Sequence, residues 1–188
     1  MAKNEVVVGK IFSFDAAHQL TGHFGKCANL HGHTYKLEVL LKGVPRHFTP
    51  QTPEPQGEGV HVDSYYRAKS NEGFVIDFYD LKKTVNELIV DKLDHAFIAR
   101  GDEPALQVIK ESGAKHVVLG FRTTVENMAR YICWRLMKAG LPMYAVRMWE
   151  TPTGWAEVYA EDIDLENGPD YASSGACDLD DDDLRPHV

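Results

Sequence analysis

Residues 12–35 read FSFDAAHQLTGHFGKCANLHGHTY, and this stretch decides what architecture we expect of the chain. Apolar and polar residues alternate over residues 6–18, which predicts a strand whose apolar face ends in His18. A loop containing two glycines follows. A second strand is then predicted from about residue 30, with His31 and His33 on its apolar face. Two strands joined by this loop are expected to place three imidazoles at the edge of one apolar surface.

Three neutral imidazoles suit a catalytic zinc site, in which the fourth position stays open for water or substrate. Two other readings remain open. The His-Gly-His sequence is also typical of a polar strand end, and Cys27 as a fourth ligand would make a closed structural site. If Cys27 is not a ligand, a nearby cation and Lys26 would favour its thiolate form and make it a candidate base.

The rest of the chain predicts two helices and two further strands. A helix is expected over Tyr79–Leu93, capped by Asp77 or Asp80, and a second one begins at Thr123 or Thr124. Thr123 and Glu126 have the spacing of a capping box. Strands are expected near Tyr144–Thr151 and Trp155–Ala160. This order predicts an α+β domain, with an antiparallel four-stranded sheet and two helices on one face.

Composition divides the chain into a domain over residues 1–160 and an acidic tail over residues 161–188. The tail carries ten acidic residues and one arginine, which accounts for the net charge of −8, and its few apolar residues predict disorder. Residues 43–72 hold four of the nine prolines and predict an inserted loop or hairpin extension. The sequence shows no basic stripe for nucleic acid, no membrane-length apolar run and no secretory signal, so we expect a cytoplasmic protein.

Four motifs together resemble the 6-pyruvoyltetrahydropterin synthase family. Residues 14–35 are similar to its zinc and nucleophile segment, and LDHAFI (residues 93–98) is similar to its Asp-His element. RTTVENMARYI (residues 122–132) resembles the start of its threonine–glutamate–asparagine helix, and MWETP (residues 148–152) resembles its pterin-anchoring strand. The motifs occur in family order over most of residues 6–160, whereas the insertion and the tail have no counterpart.

The resemblance implies zinc on the three histidines and 7,8-dihydroneopterin triphosphate as substrate. It also implies that Cys27 takes a proton from the substrate, that Asp94 orients His95 as the partner acid or base, and that Glu150 anchors the pterin N–H groups. The implied architecture is the tunnelling fold (T-fold), an oligomeric barrel that is commonly a hexamer. In that assembly the active sites lie between subunits, which implies that one site can combine Cys27 of one chain with the Asp94–His95 pair of another.

Several roles stay open at this point. Thr123, Thr124 and Glu126 serve either as helix caps or as substrate contacts, and an Asp-His pair after a helix is often structural. Only three residues separate Cys27 from His31, as in the bacterial branch of the family, whose product is a 6-carboxytetrahydropterin formed with release of acetaldehyde. The alternatives are triphosphate elimination alone, which gives the 6-pyruvoyl product, and a non-catalytic zinc or pterin-binding module.

Overall fold

The computed structural model describes residues 4–47, 69–166 and 168, and a six-stranded mixed sheet lies at its centre. The strand order is β4-β3-β1-β2-β5-β6. The strands are β1 (Val6–His18), β2 (His31–Gly43), β3 (Ala96–Arg100), β4 (His116–Leu119), β5 (Met143–Trp149) and β6 (Trp155–Tyr159).

Within the described ranges, three helices of eight or more residues accompany the sheet. Helix α1 (Phe78–Val85) continues through a π-helical turn (Asn86–Val90) into a last short turn (Asp91–Leu93). Helix α2 spans Pro104–Ser112, and helix α3 spans Val125–Lys138. In the part of the chain that the structure describes, no helix combines the length and the apolar character that crossing a membrane requires.

The long β1–β2 hairpin forms the centre of the sheet. The two strands pair antiparallel along their whole length, from Val6 opposite Gly43 to His18 opposite His31. Their inward face carries alternate apolar residues onto α1 and α3, and this layer forms the main core. The two strands predicted from alternating apolar and polar residues are therefore both present. The alternation was informative because one face of each strand is buried and the other is largely exposed.

The prediction of a four-stranded antiparallel sheet was wrong. Strands β3 and β4 extend the sheet beyond β1, with Ala16 to His18 parallel to β3 and β3 parallel to β4. Helix α2 connects these two strands as a crossover. Ala96 and Ile98 of β3 belong to the main core, whereas Phe97 and Ala99 pack with α2 in a second cluster. A strand buried on both faces shows no period-2 alternation, so this segment gave no strand signal.

The helix starts are partly as predicted. Asp77 caps α1, since its carboxylate accepts a hydrogen bond from Tyr79 N at 2.7 Å. Thr124 is the cap of α3 and accepts from Asn127 N at 3.5 Å. The predicted capping box between Thr123 and Glu126 does not form, because the helix begins one residue later than that box requires.

Two segments singled out in the sequence are described only at their margins. Where the insertion leaves the domain, Arg46 N donates to Phe74 O at 3.0 Å and Gly73 N donates to Arg46 O at 2.8 Å, which ties its two ends together. After residue 160 the chain makes a short 3₁₀ turn, and Ile163 is buried in the main core. Residues 48–68, 167 and 169–188 lie outside the described residues, and so does the greater part of the predicted tail.

Candidate metal centre

The three predicted histidines meet where the β1–β2 hairpin ends. His18 closes β1 opposite His31, and His33 lies opposite Ala16, so the register places all three rings on one face. Their ligand nitrogens all lie within 4.8 Å of one another. His18 is 1% exposed, whereas the other two are partly buried. The predicted convergence is therefore present in a single chain.

Main-chain carbonyls fix which nitrogen of two rings faces the centre. His18 Nδ1 lies 2.9 Å from Thr123 O, and His31 Nδ1 lies 2.7 Å from Asn29 O. A carbonyl only accepts, so each Nδ1 carries the proton, and in the neutral ring each Nε2 presents a lone pair. Burial, with smaller effects of His31 and His33, lowers the pKa of His18 from 6.5 to about 4, which keeps its ring neutral near pH 7.

These lone pairs face one another, and this arrangement fits a metal ion. His18 Nε2 and His31 Nε2 are 3.2 Å apart, and neither carries a proton to share when both rings are neutral. Among the described residues, His33 Nε2 finds no hydrogen-bond partner, although it is buried. Two nitrogens bound to one tetrahedral zinc at roughly 2.0–2.1 Å lie about 3.3–3.4 Å apart. The residues present thus fit a cation held by three imidazoles.

Glu150 approaches the same centre from the end of β5. Its Oε1 atom lies 3.5 Å from His18 Nε2 and 3.9 Å from His33 Nε2. Burial raises the pKa of this carboxyl group, and the nearby Glu126 raises it further, while His31 opposes the shift. These distances show that the carboxyl group is directed at the three imidazoles.

Cys27 lies in a short 3₁₀ turn (Lys26–Ala28) between the two histidine strands, and it is a partly exposed free thiol. Among the described residues, the group of ligand atoms within 4.8 Å of one another that contains the three imidazoles does not include this thiol. The arrangement therefore favours an open three-histidine site over a closed four-ligand one.

Asp94 and His95 lie on the opposite side of the sheet from the three imidazoles. Their ligand atoms lie within 4.8 Å of the Asp15 carboxylate. The Asp15 side chain alternates with those of Ala16 and His18 on β1 and therefore faces away from the three imidazoles. His95 Nδ1 is 2.9 Å from Asp94 Oδ2. The main-chain N–H of Asp15 and the contact with His95 lower the pKa of Asp94, so this carboxyl stays ionised. Among the described residues, the group of ligand atoms that contains Asp94 and His95 does not include Cys27.

The sequence did not reveal the residues that hold this Asp-His pair. Asp15 N donates to Asp94 Oδ1 at 2.9 Å, and Thr34 donates to the Asp15 carboxylate at 2.5 Å. Lys115 Nζ donates to Asp94 O at 2.6 Å. His95 has a φ of 58°, an unusual backbone for a residue other than glycine. Asp15 and Thr34 were recognisable only as the outward positions of two strands, a pattern that also fits plain surface residues.

The remaining predicted contacts divide by their distance from the metal centre. Thr123 is buried, and its hydroxyl lies 3.4 Å from His18 Nδ1, in addition to the contact made by its carbonyl. Thr123 therefore helps to orient the His18 ring. Thr124 is the helix cap. Glu126 is exposed in the first turn of α3 and acts on Glu150 only through charge.

A mixed α+β sheet with a three-histidine centre at the end of a long hairpin thus defines a candidate metal-dependent protein. The sequence model of the 6-pyruvoyl tetrahydropterin synthase family matches residues 7–161, and the chain belongs to this family.

Curated relatives support the assignment. The 6-carboxy-5,6,7,8-tetrahydropterin synthase of Haemophilus influenzae is 39% identical over 155 residues, which is 80% of this chain and 96% of that protein. The protein of the same name from Synechocystis sp. is 30% identical and covers 82% of this chain and 93% of its own length.

Solved structures share the fold. An uncharacterised Wolinella succinogenes protein aligns with a TM-score of 0.57 and 21% identity over 82% of this chain and 98% of its own. The 6-pyruvoyl tetrahydropterin synthase of Caenorhabditis elegans aligns with a TM-score of 0.52 and 24% identity over 82% and 95%.

Proposed function

We propose that this chain is a zinc-dependent carbon–carbon lyase, a 6-carboxy-5,6,7,8-tetrahydropterin synthase. It converts 7,8-dihydroneopterin triphosphate to 6-carboxytetrahydropterin with release of acetaldehyde and triphosphate, a step towards 7-deazaguanine and queuosine. The observation that carries the proposal is the facing pair of imidazole lone pairs beside Glu150. The names of the relatives from H. influenzae and Synechocystis support the choice of reaction.

The metal ligands would be His18, His31 and His33. Zinc bound there supplies Lewis-acid chemistry, polarising substrate hydroxyl groups so that an adjacent C–H becomes more acidic. Thr123 and Asn29 hold two of the ligand rings through their carbonyls, so these imidazoles are oriented before any ligand arrives.

Glu150 and Cys27 would act on opposite parts of the substrate. The Glu150 carboxylate can accept two parallel N–H bonds from the pterin ring, which fixes the ring beside the metal centre. Thr123, Thr124 and Glu126 remain candidates for further pterin contacts near the start of α3. Cys27 would remove the proton from the side-chain carbon as a general base.

The Asp94–His95 pair completes the site in a homo-oligomer. Since the pair faces away from Cys27 within one chain, we propose that a second copy supplies it, in an assembly with active sites between subunits. Within the described residues, β4 and β6 are the edge strands of the sheet, and unpaired edges favour association with another copy. A hexameric barrel is the assembly that the family resemblance implies.

The product assay tests the proposal. Purified protein is incubated with 7,8-dihydroneopterin triphosphate, the pterin product is analysed by mass spectrometry, and acetaldehyde is measured with a coupled enzyme. We expect a 6-carboxy product and one acetaldehyde per turnover. A 6-pyruvoyl product without aldehyde would assign the chain to the triphosphate-eliminating branch. Zinc and pterin binding without any turnover would identify a non-catalytic module.

A further inference from the structure

The loop that carries Cys27 is closed by its own main chain. Leu20 N donates to Cys27 O at 2.9 Å, and His23 N donates to Leu20 O at 3.0 Å. Gln19 Nε2 donates to Ala28 O at 2.8 Å and fastens the far end of the loop. The main chain of Cys27 is therefore held by Leu20, and the location of the thiol depends on how firmly Leu20 is held.

Arg122 joins this loop to the opposite side of the metal centre. Its Nη2 atom donates to Leu20 O and to Thr21 O, each at 3.1 Å. Arg122 immediately precedes Thr123, whose carbonyl accepts the Nδ1–H of the ligand His18. One residue pair thus contacts both the Cys27 loop and a metal ligand.

The main chain of Arg122 is itself fixed at the start of α3. Its carbonyl accepts from Thr124 N at 2.8 Å and from Asn127 Nδ2 at 2.9 Å. The guanidinium is planar and loses little conformational freedom for each hydrogen bond that it forms. The loop is therefore attached to a rigid helix start rather than to another loop.

We propose that Arg122 is a positioning residue, which holds the Cys27 loop at a fixed distance from the metal centre. This inference rests on the proposed function, in which Cys27 is the base. Arg122 acts through Leu20 and the loop main chain. Loss of a supporting contact around a metal site commonly reduces activity about 10- to 100-fold, and small displacements of reacting groups have effects of the same order.

Three variants test the proposal. Arg122→Met keeps a long side chain and removes every donor, whereas Arg122→Lys keeps the charge and a donor but loses the planar fork. Arg46→Met is the matched control, since Arg46 is exposed and follows β2 at the end remote from His31. Each variant is measured for zinc content, kcat, KM and hydrogen exchange of the peptide covering residues 20–28.

We expect Arg122→Met to keep its zinc and its KM within about twofold, while kcat falls about 10- to 100-fold. Amide exchange in residues 20–28 should rise at least about tenfold, because the Leu20–Cys27 bond opens more often. Arg122→Lys should recover part of both effects, and Arg46→Met should match the wild type. If Arg122→Met fails to fold, the same comparison is made with Arg122→Lys.

Unchanged exchange in residues 20–28 would overturn the proposal, and so would faster exchange with an unchanged kcat. A raised KM at unchanged kcat would make Arg122 a substrate contact, and loss of zinc would make it a support of the metal ligands. The exchange measurement needs no turnover. If the wild type releases no acetaldehyde, the proposed function fails. The exchange rates of residues 20–28 in the Arg122 variants still show whether Arg122 holds the loop.

Discussion

His31 is the proposed ligand whose replacement tests the metal centre most directly. It is partly exposed at the start of β2, so its removal disturbs the core less than removal of the buried His18. We expect the wild type to purify with about one zinc per chain and His31→Ala to lose it, because two imidazoles rarely hold zinc without a third ligand. Elemental analysis measures the content.

His23→Ala is the control for this prediction, since His23 is an exposed histidine on the loop between β1 and β2 and lies outside the group of converging nitrogens. That variant should keep its zinc. Full zinc occupancy in His31→Ala would remove this residue from the ligand set.

Replacement of Cys27 distinguishes a loss of catalysis from a loss of metal binding. We expect Cys27→Ala to keep zinc and fold while kcat falls about 10²- to 10⁴-fold, the usual contribution of a general base. Turnover and elemental analysis are run on the same preparation. Cys177→Ala, which removes a thiol from the acidic tail, should behave as the wild type. Loss of zinc from Cys27→Ala would restore the closed four-ligand site.

At the residue scale, the sequence predicted those site residues that are marked by alternation along a strand or by their spacing. The three imidazoles follow from period 2 on two strands, and the structure brings them together as expected. The residues that support the Asp94–His95 pair could not be predicted from the sequence, because Asp15 and Thr34 look like ordinary outward-facing strand residues. Their role depends on the register of β1 and β2 and on a contact 79 residues along the chain.

The π-helical turn that follows α1 is contacted by a buried cation. Leu88 lies in this turn, and its carbonyl accepts a hydrogen bond from Arg135 Nε at 3.3 Å. Arg135 is 0% exposed and projects from α3. A π turn departs from the regular α-helical hydrogen-bond pattern, and here α3 supplies a donor to one of its carbonyls. The two helices are thus joined by a polar contact inside the core.

Arg135→Ala should lower the free energy of unfolding by about 2–5 kcal/mol, because the change leaves a cavity in the core and removes the donor to the Leu88 carbonyl. Urea unfolding at a fixed protein concentration measures the loss. Lys138→Ala removes an exposed cation from the same helix and should change stability by less than about 0.5 kcal/mol. Equal effects of the two substitutions would show that the contact with Leu88 contributes nothing.

At the element scale, prediction succeeded where one face of an element is buried and failed where both are. Helices α1 and α3 each present one apolar stripe and were expected, and Asp77 was correctly placed as a cap. Strands β3 and β4 carry short apolar runs without alternation. The crossover helix α2 packs on the second face of β3, which removed the pattern that would have revealed the strand.

At the scale of the whole molecule, the folded body extends past the predicted domain end at residue 160. Ile163 is buried in the main core, and Trp134 Nε1 donates to Leu165 O at 3.2 Å. Burial of an isoleucine side chain contributes about 1.5–3 kcal/mol. The first residues of the acidic segment therefore contribute to stability.

Two truncations test this boundary. Removing residues 163–188 should lower the melting temperature by about 4–10 °C, since each kcal/mol shifts it by about 2–4 °C in a chain of this size. Removing residues 169–188 should leave it within about 1 °C, because that segment is acidic and poor in apolar residues. Scanning calorimetry at one protein concentration compares the two. Equal melting temperatures would show that Ile163 and Leu165 do not stabilise the body.

The assembly is tested by mixing two inactive variants. Cys27→Ala lacks the proposed base, and His95→Ala lacks its proposed partner on the other side of the sheet. If each active site combines Cys27 of one chain with His95 of another, equal mixing restores about one quarter of the wild-type activity, since a site is intact only when each chain supplies its remaining group. The two variants are unfolded, mixed and refolded together, and acetaldehyde release is compared with wild type treated in the same way.

Two controls accompany the mixture. Each variant refolded alone should stay inactive, and a mixture of Cys27→Ala with a Cys27→Ala/His95→Ala double variant should also stay inactive, because no chain then carries the thiol. Zinc content should match the wild type throughout, since neither residue belongs to the three-imidazole group. If the refolded mixture of single variants stays inactive while refolded wild type recovers its activity, Cys27 and His95 act within one chain. The chain would then have to bring together two faces of the sheet that the register of β1 and β2 keeps apart.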